Sequence, residues 1–188
     1  VQNFSFDFSN KNSSIERRKA QKISDNISIQ SFQVQDDKKK YERKFIIVSI
    51  KEPNEILSLK YKIERNLRLQ IAIEFSGKQL ISHEKKTCLY CTFPFIGSEN
   101  HQLPFIMNCP DFEPDTERQS LLLEGDDYIY KNKDKIINSP KINKMIMNRS
   151  LYLFKELLDY LIKNKYQCFH LLTNGLFNCS NIRNMNHD

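Results

Sequence analysis

The chain contains 188 residues, of which 39% are hydrophobic and 28% charged, and its formal net charge is +6. This composition is typical of a globular protein with one hydrophobic core and excludes an intrinsically disordered chain. No segment approaches the roughly 20 apolar residues that span a bilayer, and the first residues lack the basic and apolar regions of a signal peptide, so we expect no membrane partner.

The sequence divides into three regions by composition. Residues 1–26 are polar and rich in Ser and Asn, which is typical of a linker or of an edge segment. Residues 27–175 carry the apolar patterns of a single domain. Residues 176–188 are rich in Asn, and we expect them to form a disordered tail. Because the chain does not begin with Met, we interpret it as a segment of a longer polypeptide, with a processed N-terminus as the alternative.

Three segments in the first half of the domain carry strand patterns. Residues 27–34 alternate between apolar and polar, as in a half-buried strand, and residues 45–50 form the continuous apolar run of a central strand. Residues 67–75 alternate again and end before Gly77. Residues 55–66 are ambiguous between a short helix and a strand.

Two shorter strands are predicted next along the chain, at residues 89–95 and 103–108. Pro94 and Gly97 close the first of them. The connections between the predicted strands are short, and short connections favour antiparallel pairing. The first two-thirds of the chain therefore predicts a mostly antiparallel meander of about five strands.

The hydrophobic period changes near residue 139 and predicts a long amphipathic helix. Ser139 is a favourable N-cap, and Pro140 suits the first helical position because its missing N–H has no partner there. The helix is expected to end near Lys163, with Arg149 interrupting its apolar face and either snorkelling or pairing. That face is formed by Ile142, Met145, Ile146, Leu153, Phe154, Leu157, Leu158, Leu161 and Ile162.

The fold class is therefore α+β, with the helix covering the strand meander. We expect one core cluster of residues from the sheet and the helix. Its members are Phe45, Ile47, Ile71, Ile73, Leu89, Phe105, Leu153, Phe154, Leu157 and Leu161.

The cysteines predict reduced thiols without a metal. An odd number of cysteines without a secretory signal is typical of a cytoplasmic or nuclear protein. Cys88 and Cys91 have the spacing of zinc ligands, but no second pair follows at the distance of a zinc finger. Both lie in a predicted strand, where residues three apart point to opposite faces. The five cysteines are Cys88, Cys91, Cys109, Cys168 and Cys179.

No catalytic residue and no metal ligand is predicted. The sequence lacks the glycine-rich loops that cradle phosphates and the G-x-S-x-G motif of hydrolases, and its four histidines are scattered. Carboxylates alternate at Asp111, Glu113, Asp115 and Glu117 in a loop bracketed by prolines. They lack the glycine and the closing glutamate of a calcium loop, so an acidic solvated loop is the simpler interpretation.

The segment at residues 103–123 is the most distinctive part of the sequence. Its prolines indicate a stiff excursion, and rigid loops are where proteins place binding groups. Arg118 is the nucleotide-sensing candidate, although a salt bridge with Asp115 or Glu117 is the simpler role for it. The other candidate site residues in the segment are Asn108, Asp111, Asp115 and Glu117.

Three motifs of this region resemble a known family. They are Phe93-Pro94-Phe95-Ile96, Leu103-Pro104-Phe105-Ile106-Met107-Asn108 and Asp115-Thr116-Glu117-Arg118-Gln119-Ser120-Leu121. In this order they resemble the segment downstream of the ATPase domain in sacsin-type, heat-shock-chaperone-like ATPases of the GHKL group. The resemblance covers residues 86–175.

The resemblance implies a transducer or middle-type module without catalytic residues of its own. The nucleotide-binding motifs of the family are an Asn-bearing helix, an Asp-x-Gly-x-Gly loop and a glycine-rich lid, and the chain has none of them. ATP and Mg²⁺ would then be held by the adjacent ATPase domain of the same polypeptide. Arg118 would approach the γ-phosphate as an arginine finger, because its planar fork is permanently charged.

A second hypothesis is a nucleic-acid-binding or protein-interaction scaffold domain. The basic charge favours anionic partners, although the basic runs at residues 17–19, 38–40 and 85–86 are more simply solvated turns. The aromatic strand residues that would stack on bases are Phe45, Phe75, Tyr90 and Phe93. Aromatic residues in strands more often belong to the core, so nucleic acid is the less favoured partner.

Overall fold

The computed structural model describes residues 3–8, 11–36, 39–81, 88–95, 98, 103–115, 117, 121–123, 130–132, 135–137 and 139–173. These residues form a mixed α+β fold in which antiparallel strands dominate the sheet and a helix follows them in the C-terminal part. The predicted α+β class is confirmed at this level. The predicted tail at residues 176–188 lies outside the described residues.

The described residues form twelve strands and three helices. The strands are β1 Asn3–Phe8, β2 Lys11–Arg17, β3 Gln21–Lys22, β4 Ile27–Asp36, β5 Lys39–Pro53, β6 Asn66–Ser76, β7 Gln79–Leu80, β8 Leu89–Cys91, β9 Phe93–Pro94, β10 Ile106–Asn108, β11 Tyr130–Asn132 and β12 Lys135–Ile137. The helices are α1 Glu55–Tyr61, α2 Ser139–Lys163 and α3 His170–Thr173.

Ten of these strands form one sheet, rather than the five that the sequence predicts. Their order is β1-β2-β4-β5-β6-β10-β8-β9, with β3 paired to β4 and β7 paired to β6. The pairing is antiparallel except between β8 and β10, which run parallel. The additional strands are β1 and β2, which lie in the segment predicted as a linker or an edge segment, and the two-residue strands β3, β7 and β9. β1 alternates Phe4, Phe6 and Phe8 with polar residues, a strand pattern that the prediction from the polar composition of residues 1–26 did not use. Strands of two residues are too short to show a period.

The centre of the sheet is the long antiparallel pair β5 and β6, in which Val48 lies opposite Ile71. Successive side chains of a strand point to opposite faces, so every second residue faces the core. On β6 this alternation is clear, since Leu67, Leu69 and Ile71 have no exposed surface. On β5 the buried positions of the same face are Ile46 and Val48.

The core prediction is therefore wrong for β5, where the buried positions are shifted by one residue from the predicted ones. Phe45 and Ile47 point away from the core cluster, and Phe45 instead packs edge-to-face on Phe32 with a centroid distance of 5.7 Å. A continuous apolar run does not reveal which of its two faces is buried, and a shift of one residue moves all side chains to the other face. The other predicted core residues belong to the cluster: Ile71, Ile73, Leu89, Phe105, Leu153, Phe154, Leu157 and Leu161.

The ambiguous segment at residues 55–66 forms the short helix α1 and then enters β6. Asn54 caps the helix because its side-chain oxygen accepts a hydrogen bond from the backbone N–H of Leu57 at 3.1 Å. The helix ends at Lys62, which adopts the left-handed conformation with φ of 58°. Arg65 lies in the polar turn that follows, directly before the first residue of β6.

Two predicted strands are shorter than expected. The strand predicted at residues 89–95 divides into β8 and β9, because Thr92 between them has φ of +66° and cannot continue the ladder. The strand predicted at residues 103–108 begins only at Ile106. Pro104 explains the late start, since proline has no N–H to donate to a neighbouring strand.

The helix α2 packs one face against the sheet. Its buried apolar residues are Ile142, Ile146, Leu153, Phe154, Leu157 and Leu161, and each belongs to the core cluster. Ile162 was predicted on this face but is 63% exposed, because it lies about 100° around the helix from Leu161. Ser139 is buried, and its hydroxyl has no hydrogen-bond partner among the described residues, so the predicted capping bond is not formed.

Arg149 pairs rather than snorkels. Its guanidinium donates two hydrogen bonds to the carboxylate of Glu52, from Nε to Oε1 at 2.7 Å and from Nη2 to Oε2 at 2.6 Å. This bidentate bond ties the middle of α2 to the end of β5. Within the described ranges, no helix is long and apolar enough to cross a membrane.

Candidate functional site

The acidic loop, residues 109–123, connects β10 to the segment before α2. Within this loop, residues 113–114 lie beside residues 121–122 and form its base. Pro114 and Leu121 form an antiparallel bridge, and the N–H of Leu122 donates to the carbonyl of Glu113 at 3.3 Å. Six residues, 115–120, separate Pro114 from Leu121 in the sequence. Arg118 is one of them and lies outside the described residues, together with Thr116, Gln119 and Ser120.

One buried side chain of α2 holds both ends of the acidic loop. Asn143 has no exposed surface, and its amide nitrogen donates to the carbonyl oxygens of Glu113 at 2.7 Å and Leu122 at 2.8 Å. Its amide oxygen accepts from the backbone N–H of Glu113 at 2.8 Å. These three hydrogen bonds, two donated and one accepted by the same buried side chain, fix the position of the loop base on the helix.

Two acidic residues of the loop are paired with basic residues of α1 and the turn after it. The guanidinium of Arg65 donates to Asp111 at 3.1 Å, and the side chain of Asp111 is fully buried. Lys60 forms an ion pair with Glu113, and both side chains are largely buried. The ring of Tyr61 lies beneath both cations, at 4.1 Å from the Arg65 guanidinium carbon and 4.6 Å from the Lys60 nitrogen.

The predicted acidic residues lie on both sides of the bridge between Pro114 and Leu121 in the sequence. Asp111 and the neighbouring Glu113 come before Pro114 and pair with cations of the fold. Asp115, which is partly exposed, and Glu117, which is exposed, follow Pro114. The predicted salt bridge of Arg118 with either of them lies outside the described residues.

Asn108 belongs to a different contact from the rest of the predicted set. It ends β10, and its side-chain oxygen accepts a hydrogen bond from the N–H of Thr92 at 3.4 Å. This bond supports the left-handed turn between β8 and β9. Asn108 therefore connects β10 to the neighbouring strand, whereas Asp111 connects the acidic loop to α1.

The described cysteines are separate from one another in their contacts. The thiol of Cys88 lies 3.6 Å from the carbonyl of Leu103, and the thiol of Cys91 lies 3.5 Å from the carbonyl of Phe112. None of the four described cysteines forms a disulfide. Burial raises the pKa of Cys109 to about 12, so its thiol is neutral at physiological pH. In the described ranges, no three His, Cys, Asp or Glu side chains are grouped so that they could hold a metal ion.

Sequence reasoning missed the residues that hold the acidic loop. Asn143 stands one position after the buried Ile142, and a polar residue on the apolar face of a helix is the signal that points to it. Lys60 and Arg65 carry no such signal, because their acidic partners lie 53 and 46 residues away in the sequence. Only the folded chain brings these groups together.

None of the protein-family models, curated proteins or solved structures that were compared with the chain matches it. The resemblance to sacsin-type ATPases therefore remains a prediction from the residues of the sequence.

Proposed function

We propose that the chain is a non-catalytic transducer or middle-type module of a larger, sacsin-type ATPase of the GHKL group. In this proposal the acidic loop presents Arg118 to the nucleotide held by the adjacent ATPase domain. The observation that carries the proposal is the anchoring of both ends of the loop on α2 by Asn143. Residue 118 lies between those anchored ends in the sequence.

A fixed loop base suits a residue that must reach a phosphate in another domain. An arginine finger acts by positioning a permanent charge beside developing negative charge, so a misplacement of about 1 Å can reduce the rate by about a hundredfold. The ion pairs of Asp111 with Arg65 and of Glu113 with Lys60 hold the same end of the loop. Together these contacts restrict the positions from which the short segment 115–120 starts and ends.

The charges of the loop base support a structural role rather than a catalytic one for its carboxylates. Asp111 and Glu113 are already neutralised by cations of the fold, which does not suit them to bind Mg²⁺. ATP and Mg²⁺ are therefore assigned to the adjacent domain of the parent protein. The fold that presents the loop is the strand meander with the amphipathic α2 across it, and α2 supplies Asn143.

The proposal is tested by replacing Arg118 in the parent protein. Arg118→Ala should lower ATP hydrolysis by about a hundredfold or more, because arginine fingers contribute around 10³–10⁵ in rate. Arg118→Lys should restore only part of it, because an ammonium group cannot make the bidentate contact. Lys155→Ala, which removes an exposed cation from α2, is the matched control and should leave hydrolysis unchanged.

A different pattern would contradict the proposal. If Arg118→Ala lowers the melting temperature by several degrees and leaves hydrolysis unchanged, Arg118 serves a local salt bridge with Asp115 or Glu117. Its functional role would then be excluded.

A further inference from the structure

A row of polar side chains crosses the sheet on the face that points away from α2. Ser49 lies opposite Gln70, Gln70 lies opposite Asn108, and Asn108 lies opposite Tyr90. These residues alternate with the core positions of the same strands, such as Val48 on β5, so they point to the other face. Four neighbouring strands thus present one continuous line of hydrogen-bonding groups.

Two cations lie beside this row on neighbouring strands, and their mutual repulsion does not stabilise the sheet. Lys51 of β5 lies directly opposite Arg68 of β6, and both side chains are exposed. Like charges at directly opposite positions destabilise a sheet. No described residue offers either of them an ion pair. By contrast, Arg43, two residues from Phe45 on the same strand, is paired with Glu74.

Ser49, Gln70 and Asn108 of the row line a concavity of about 480 Å³ together with the two cations. Asn26 and Asp25 complete its rim, and both are engaged elsewhere. The amide of Asn26 donates to Glu156 at 3.2 Å, and Lys22 donates to the carboxylate of Asp25 at 2.8 Å. The negative charge of Asp25 is therefore offset by its own cation. Within the described part of the chain, the side chains of Lys51, Arg68 and Gln70 form no hydrogen bond. The Ser49 hydroxyl donates to the carbonyl of Asn26 at 3.5 Å, and the side-chain oxygen of Asn108 accepts from the N–H of Thr92 at 3.4 Å.

We propose that this concavity binds single-stranded nucleic acid, with a backbone phosphate on Lys51 and Arg68 and a base edge on Gln70 and Asn108. The carboxamide of Gln70 carries a donor and an acceptor side by side, which is the pattern that base edges present, and Asn108 adds the donors of its amide nitrogen. Tyr90 is the next residue of the row but does not line the concavity. The net charge of +6 strengthens the attraction of a polyanion.

The position of the concavity favours nucleic acid over an acidic peptide. Extended peptides are usually recognised by pairing with an open sheet edge, and the edges of this sheet are β1 and β9. The concavity lies instead on the face formed by β5, β6 and β10. Bases and phosphates can lie across such a face without a free backbone edge. This site is separate from the nucleotide-sensing role of Arg118 and does not depend on it.

The test uses a fluorescent single-stranded oligouridylate of about 12 nucleotides, a length within the range that one binding module covers. Fluorescence anisotropy of the 188-residue chain is measured over a series of salt concentrations. The double variant Lys51→Gln/Arg68→Gln should weaken binding by about tenfold or more at low salt. Its slope of log affinity against log salt should become shallower by about 0.7, because the contact with one phosphate is lost.

Two further variants separate this site from general charge attraction. Lys144→Gln/Lys155→Gln removes the same charge from the exposed surface of α2 and should change the affinity less than twofold. Gln70→Ala should weaken binding by about fivefold and leave the salt slope unchanged, because an amide contact releases no counterion. Circular dichroism should show the same folded spectrum for all variants.

Three outcomes would overturn the proposal. The first is an absence of binding to the wild-type chain at low salt. The second is an equal loss of affinity in the Lys144→Gln/Lys155→Gln control, which would reduce the effect to net charge. The third is an acidic peptide of matched charge that binds as tightly as the oligouridylate and is equally sensitive to Lys51→Gln/Arg68→Gln, which would assign the concavity to a protein partner.

Discussion

Replacement of Asn143 by alanine removes the clamp on the acidic loop. The three hydrogen bonds are 2.7–2.8 Å long, and each bond of this kind contributes about 1 kcal/mol net. The carbonyl of Glu113 keeps its bond from the N–H of Leu122, whereas the Glu113 N–H and the Leu122 carbonyl lose the partner described here. We therefore expect Asn143→Ala to lower the free energy of unfolding by about 2–4 kcal/mol.

Urea denaturation measures this loss of unfolding free energy. In thermal denaturation, a loss near 3 kcal/mol should lower the melting temperature by about 6–12 °C for a chain of this size. Asn148→Ala is the matched control, because Asn148 is an exposed residue of the same helix and should change stability by less than about 0.5 kcal/mol. If Asn143→Ala is as stable as this control, the hydrogen bonds of Asn143 do not stabilise the loop base, which would contradict the prediction.

Three further predictions concern the core, a thiol and the nucleotide. Leu157→Ala should cost about 2–5 kcal/mol in urea denaturation, because Leu157 is fully buried, whereas the exposed Ile162→Ala should cost less than 1 kcal/mol; equal losses would mean that α2 does not pack through this face. Cys109 should resist iodoacetamide in the folded chain at pH 8, since its raised pKa of about 12 keeps the thiol protonated, and rapid labelling in mass spectrometry would contradict its burial. With the proposed phosphate contacts removed by Lys51→Gln/Arg68→Gln, the isolated chain should show no ATP binding tighter than about 1 mM by calorimetry, because Arg118 without a phosphate cradle supplies few contacts, and a micromolar Kd of this variant would contradict the transducer proposal.

The sequence predicts those elements whose hydrophobic period is long and clear. Residues 67–75 alternate strictly, and the structure extends them by one residue at each end as β6. The helix predicted from Pro140 to about Lys163 is found as α2 because its apolar positions recur over seven turns. The N-terminal strands are not predicted, although Phe4, Phe6 and Phe8 of β1 alternate with polar residues, because the polar composition of residues 1–26 favoured a linker or an edge segment.

The candidate site is less predictable because its contacts are long-range. A pattern in the sequence identifies the acidic loop as distinctive, but it does not show that Asn143 holds Glu113 from 30 residues away. The same is true of the pairing of Glu52 with Arg149, which lie 97 residues apart. Lys51 and Arg68 become neighbours only through the register of β5 and β6, which the continuous apolar run at residues 45–50 leaves undetermined.

We propose that the anchored loop positions Arg118 for ATP hydrolysis in the parent protein. This role is tested by a double-mutant cycle of Arg118→Ala and Asn143→Ala, measured as the rate of ATP hydrolysis well below the melting temperature. If Asn143 acts through Arg118, each single variant lowers the rate and the double variant is no slower than Arg118→Ala alone. Effects that multiply in the double variant, or a rate that none of the three variants changes, would contradict the claim.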